Sequence, residues 1–145
     1  MDSVAPPLVG WGPRVAYHGS GYGGAMGYAE YVLAQERFRR DHGLAPSFAE
    51  LITAWDAFVR ECEAGYDWTA QEYDNEVIVR DRLELLRQSP VLAVQDEHAD
   101  VVARIEAVDS RLRALFEPGV ERSRDERWWR VGVLRNGGPQ YRETV

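Results

Sequence analysis

From Tyr28 onward, apolar residues recur at spacings of three and four along most of the chain, the pattern of helices that bury one face. Tyr28, Tyr31, Val32, Gln35 and Phe38 define a first helix, expected to stop near Asp41-His42-Gly43 and before Pro46. Ser47 with Glu50 and Thr69 with Glu72 read as capping boxes, in which hydroxyl and carboxylate each satisfy an orphan backbone amide. The helix after the first box runs to about Glu63, carries Leu51, Trp55, Phe58, Val59 and Cys62 on one stripe, and is closed by Gly65. The helix after the second box spans roughly residues 70–87, with Val79, Leu83 and Leu86 inward and Glu76 four residues before Arg80, a favourable pair. Its apolar stripe is thin. Ser89-Pro90 then opens the longest predicted helix, in which Val91, Val94, His98, Val101, Ile105, Val108, Leu112 and Leu115 form an unbroken seam up to Pro118-Gly119. About 26 residues would make it about 40 Å long.

The two ends lack this regularity. Residues 1–27 hold seven of the thirteen glycines and three of the seven prolines, and read as a flexible lead. In the tail, Ser123 and Glu126 suggest a third capping box, while "RWWRVGVL" alternates Trp129, Val131 and Val133 as a strand would. With no second strand in view, a short helical turn followed by an extended segment is expected. The pattern predicts an all-α fold of about four helices: a lead over 1–27, an acidic bundle over 28–121, and a basic Arg/Trp tail over 122–145 that packs on the bundle.

Charge sharpens this division. The chain of 145 residues has a net charge of −7, and all seventeen of its basic residues are arginine. Residues 1–40 carry four arginines against three acids, residues 41–121 seven against eighteen, and residues 122–145 six against three. An acidic body of this kind repels phosphate backbones, which disfavours nucleic acid as a ligand. Either the arginine-rich tail folds back on the body or the body meets a basic partner. The absence of lysine excludes a Walker A loop and Schiff-base chemistry. Cys62 is the single cysteine, so no intramolecular disulfide can form and no cysteine cluster can bind zinc. The N-terminal residues lack a signal-peptide pattern and no run is long enough to span a membrane, so a cytoplasmic protein is expected, without metal or cofactor.

Gly19, Gly21 and Gly24 match G-x-G-x-x-G. A dinucleotide fingerprint requires a strand before the glycines and a second strand after the helix, whereas a further helix, "SFAELITAWDAFVREC", stands here; a chance match is the better reading. The three histidines, His18, His42 and His98, form no pair one helical turn apart. His98 falls among valines in the seam and reads as a hydrogen-bonded core residue, with a catalytic or pH-sensing role as the alternative. Arg37 and His42 form R-x-x-x-x-H, which resembles the motif of the helical HEPN ribonucleases. That family usually places a polar residue after the arginine, where this chain has Phe38.

The densest polar and aromatic stretch is "GYDWTAQEYDNEVIVRD", residues 65–81. Tyr66, Trp68, Tyr73, Asp74, Asn75, Arg80 and Asp81, joined by Trp128 and Trp129 of the tail, are the candidate binding surface, since Tyr, Trp and Arg dominate protein interfaces. Aromatics plugging a bundle would look the same. The run "WDAFVRECEAGYDWTAQEYDNEVIVRD", the seam helix and the later "RWWRV" and "GPQ" resemble a group of small uncharacterised helical proteins of actinobacteria over roughly residues 50–140. That resemblance implies a helical fold and a bacterial source, and no activity. The function expected is a non-enzymatic protein-interaction module, immunity- or antitoxin-like, that offers an acidic surface to a basic protein. A metal-independent ribonuclease or hydrolase, and a self-assembling homo-oligomeric subunit, are the alternatives.

Overall fold

The computed structural model of the chain describes residues 22–43 and 47–145, and side chains from Glu30 onward. Most of the predicted lead, with His18, Gly19 and Gly21, lies outside the described residues, as does Pro46. The chain divides into two compact units, one formed by Met1–Thr53 with Arg82–Ile105 and the other by Ala54–Asp81 with Glu106–Val145.

In the first unit, helix α1 spans Tyr22–Asp41, beginning within the segment expected to be a loose lead. It ends where expected, at Gly43, whose φ of 66° suits the left-handed turn that closes a helix. Helix α2 (Phe48–Glu63) opens with the full reciprocal box: Glu50 N donates to Ser47 Oγ at 3.2 Å, and Ser47 N to Glu50 Oε1 at 2.9 Å. Helix α4 (Ile78–Arg87) contributes its later turns, and the short α5 (Pro90–Ala93) packs against α1. Tyr31, Leu51, Leu83, Leu86, Leu92 and Ile105 are among the side chains buried in this unit.

The single long seam helix is not formed. Residues 94–97 turn, and helix α6 (His98–Arg113) starts afresh. Asp96, Glu97 and Asp100 thereby sit about a new helix N-terminus, where the backbone dipole favours carboxylates. Val91 and Val94, expected in the seam, are 66% and 76% exposed, while Val101, Ile105, Val108 and Leu112 are buried as the spacing requires.

The second unit holds the rest of α2, helix α3 (Ala70–Glu76), the start of α4, the end of α6, strand β1 (Phe116–Glu121), a 3₁₀ turn (Trp128–Arg130), strand β2 (Gly132–Leu134) and helix α7 (Pro139–Thr144). Its core is aromatic. Phe58 meets Tyr73 edge-on at 5.3 Å between ring centroids, Tyr73 meets Tyr66 at 5.8 Å, and Tyr66 meets Tyr141 at 6.1 Å. Two termini of this network are held by hydroxyls: Leu134 N donates to Tyr141 Oη at 3.1 Å, and Ala70 N, an orphan at the start of α3, donates to Thr144 Oγ1 at 2.8 Å.

The fold is mostly helical but not all-α, because β1 and β2 pair as a two-stranded antiparallel sheet. Pro118-Gly119, expected to end a helix, lies inside β1. Phe116 faces Leu134 and Glu121 faces Gly132, so the longer strand bulges between these pairs, and Gly119 takes a φ of 76°. A bulge on an edge strand is where proline and left-handed glycine are tolerated. The third capping box does not form either, since Ser123 Oγ donates to the Arg130 carbonyl at 2.8 Å. The segment after β2, expected to be extended, closes as α7 with Pro139 in its first turn.

At Gly132 an added Cβ would stand 2.4 Å from the Phe116 ring. Gly132→Ala is expected to lower the urea midpoint through a loss of about 1–3 kcal/mol. An unchanged midpoint would mean that the Gly132–Phe116 contact does not constrain the strand pair.

Candidate functional site

Nine of the ten candidate residues belong to the second unit, where most are engaged by their own chain. Arg80 is the most enclosed. The guanidinium donates to both oxygens of Asp109, Nε to Oδ1 at 2.9 Å and Nη2 to Oδ2 at 2.8 Å, and only 1% of Arg80 and 4% of Asp109 is exposed. Trp55 Nε1 donates to the same Oδ1 at 3.0 Å, and the Trp129 ring lies 4.2 Å from the Arg80 guanidinium carbon. The expected Glu76–Arg80 pair is replaced by this one. A turn at Val77 separates α3 from α4, and Glu76 instead accepts from Tyr66 Oη at 2.6 Å.

Asp81 gathers the tail. Its oxygens accept from Trp129 Nε1 at 2.8 Å, Arg130 Nη2 at 2.7 Å and Arg127 Nη1 at 3.3 Å. Asp74 accepts from Arg122 Nη2 at 2.6 Å, and the Asp74 carbonyl from Arg130 Nη1 at 3.2 Å. Tyr73 is buried, donates to the Trp129 carbonyl at 3.0 Å, and carries the Arg122 guanidinium over its ring. The basic segment thus folds back onto the carboxylates of residues 74 and 81, one of the two outcomes the charge pattern allowed. Tyr66 is buried, Trp68 is 53% exposed with Nε1 donating to Glu61 at 2.8 Å, and Asn75 is exposed. Trp128 packs edge-on against Trp129 and lies under the Arg113 guanidinium at 4.2 Å.

Sequence reasoning missed Asp109, although the signal was present. Ile105, Val108, Asp109 and Leu112 share one stripe of α6, and Val77, Arg80 and Leu83 share one stripe across the start of α4. Opposite charges on two apolar stripes find each other, because neither can be buried alone.

The buried thiol and tyrosine hydroxyls of the second unit resist ionisation. Burial pushes up the Cys62 thiol and the Tyr66, Tyr73 and Tyr141 hydroxyls, with neighbouring carboxylates adding to the effect on Cys62 and Tyr66. In the first unit His98 is buried with both ring nitrogens engaged, Nδ1 to Tyr31 Oη at 2.7 Å and Nε2 to the Arg87 carbonyl at 3.2 Å. A carbonyl only accepts, so Nε2 carries a proton, and the ring is held as a hydrogen-bonded core residue. His42 Nδ1 donates to the Phe38 carbonyl at 2.9 Å and its ring stacks on Phe38, which holds the imidazole against its own helix rather than beside Arg37. Among the described residues no three His, Cys, Asp or Glu side chains converge as a metal ion requires, and no helix is long and apolar enough to cross a membrane.

No family model, curated protein or solved structure matches this chain.

Asp109→Ala leaves a buried guanidinium uncompensated and is expected to cost about 3–5 kcal/mol of stability in urea unfolding. Arg80→Met with Asp109→Leu should recover much of the loss, short of all of it because Trp55 Nε1 loses its acceptor. Equal losses for the single and double variants would contradict this account.

Glu76 titrates above the ordinary carboxylate range, because burial opposes its charge and Glu61 and Glu72 repel it, against the hydrogen bond from Tyr66. A carboxyl whose folded pKa exceeds its unfolded value binds its proton more tightly when folded, so it adds stability as pH falls from neutrality toward about 4.3. Glu76→Gln is therefore expected to be more stable than the parent at neutral pH, with the gap closing as pH falls. A gap that stays constant between these limits would show that Glu76 is not the titrating group.

Proposed function

We propose that this protein is a non-enzymatic interaction module that offers an acidic surface to a basic protein partner, in the manner of an immunity protein or antitoxin. The observation that carries this reading is the negative charge that remains after the tail has paired internally. With Arg122, Arg127 and Arg130 bound to Asp74, Asp81 and Asp125, the positive charge nearest the acidic helices is already used within the chain. Internal pairing leaves the net charge unchanged, so the chain keeps an excess of seven negative charges that favours encounter with a basic surface. The chemistry of the enclosed groups agrees with this. A reaction needs a nucleophile or base that is both activated and reachable, whereas Cys62, Tyr66 and Tyr73 are buried with raised pKa values and His98 has both nitrogens bonded. Trp68, the most exposed of the candidate aromatics, adds an apolar contact of the type that anchors interfaces.

Affinity capture of the tagged full chain from its own cells at low salt, followed by mass spectrometry and a nucleic-acid assay, tests the proposal. The expected result is one stoichiometric basic protein that is released as salt rises. Nucleic acid in the eluate, or no companion at all, would overturn it.

A further inference from the structure

Beside β1 lies an open cleft of about 590 Å³, built entirely within the second unit. Pro118, Val120 and Val131 give it apolar lining, and Val120 is 44% exposed. Glu117, Glu121 and Glu126 also line it, and among the described residues none of the three enters an ion pair or a side-chain hydrogen bond. The fourth lining carboxylate, Asp125, is different: Arg127 grips it with two side-chain nitrogens and the backbone amide. Arg113 is the sole basic residue of the lining, and its guanidinium is spread over the Trp128 ring. The cleft therefore combines an apolar surface with a net negative lining, the three carboxylates of Glu117, Glu121 and Glu126 against the one guanidinium of Arg113.

This combination has a definite complement. A metal ion or a small hydrophilic cation would gain nothing from Pro118, Val120 and Val131, and an anion would be repelled by the carboxylates. An arginine or lysine side chain matches both features, since its methylenes cover apolar surface while its head group stays with the carboxylates. The backbone of β1 offers less. Pro118 has no amide hydrogen and Gly119 turns the strand with its φ of 76°, so the edge cannot carry the continuous ladder that strand addition needs.

Resting on the reading of this protein as an acidic interaction module, we propose that the cleft beside β1 is a docking groove for an arginine or lysine side chain of a basic polypeptide, held between Val120 and the carboxylates of Glu117, Glu121 and Glu126.

The test is a ¹⁵N NMR titration of the full chain with a short peptide of glycine and arginine, and with the same peptide carrying citrulline, which keeps the shape and removes the charge. The arginine peptide is expected to shift the amides of residues 117–121 and the Trp128 indole N–H, and the citrulline peptide to leave them in place. Glu117→Gln with Glu121→Gln, both at exposed positions, should weaken arginine-peptide binding roughly tenfold, the sum of two exposed charge contacts. Val120→Ser should weaken it independently of charge. Shifts confined to other parts of the surface, or equal shifts with citrulline, would overturn the groove. The cellular capture separates the two proposals: a basic partner retained in full by the Glu117→Gln/Glu121→Gln variant would overturn the groove and leave the interaction module standing. Failure to capture any basic protein, with groove shifts intact, would do the reverse.

Discussion

A guanidinium and a carboxylate withdrawn from water cannot each be stable alone, and the second unit is arranged around meeting that condition for Arg80 and Asp109. The pair brings α4 to α6, the indole of Trp55 adds α2, and the ring of Trp129 over the guanidinium adds the 3₁₀ turn. Four segments far apart in sequence thus converge on three hydrogen bonds and one cation–ring contact whose geometry tolerates little displacement. Hydrophobic burial alone would hold these segments with less discrimination, since apolar contacts are not directional. Replacing such a pair by apolar residues often leaves stability unharmed, whereas removing one partner alone strands a buried charge.

The arginine segment is placed by the same center. Trp129 covers Arg80 with its ring while its indole nitrogen reaches Asp81, the next residue of α4. Arg130 and Arg122 then reach Asp81 and Asp74 at the outer side of this contact, where solvent weakens each ion pair. The interior contact fixes the register and the outer ones follow it. Glu117 and Glu121 of β1 lie outside this pairing.

The helices were legible where local chemistry decides them. The Ser47 box, the stripe from Leu51 to Cys62 and the stop at Gly43 all depend on residues within one or two turns, and each is present. The sheet was illegible because Pro118-Gly119 is a strong helix stop and carries no sign that a bulged strand can also use it. The seam helix misled for a related reason: spacings of three and four continue through Val91 and Val94, but periodicity does not report a turn that a new cluster of N-terminal acids prefers. The candidate residues form a dense polar and aromatic group along the sequence. The partners of Tyr73, Arg80 and Asp81, 29 to 56 residues away, are set by packing, and one sequence contains only the hint that opposite charges occupy two apolar stripes.

The two units are interleaved along the chain: each takes one stretch from before residue 81 and one from after it. Neither can be lifted out as a continuous fragment, by a protease or by recombination between genes, without leaving part of itself behind. A cut after Asp81 parts the two stretches of each unit from one another. Each unit is therefore completed only when the chain has passed through the other, which ties the assembly of both to the same length of polypeptide.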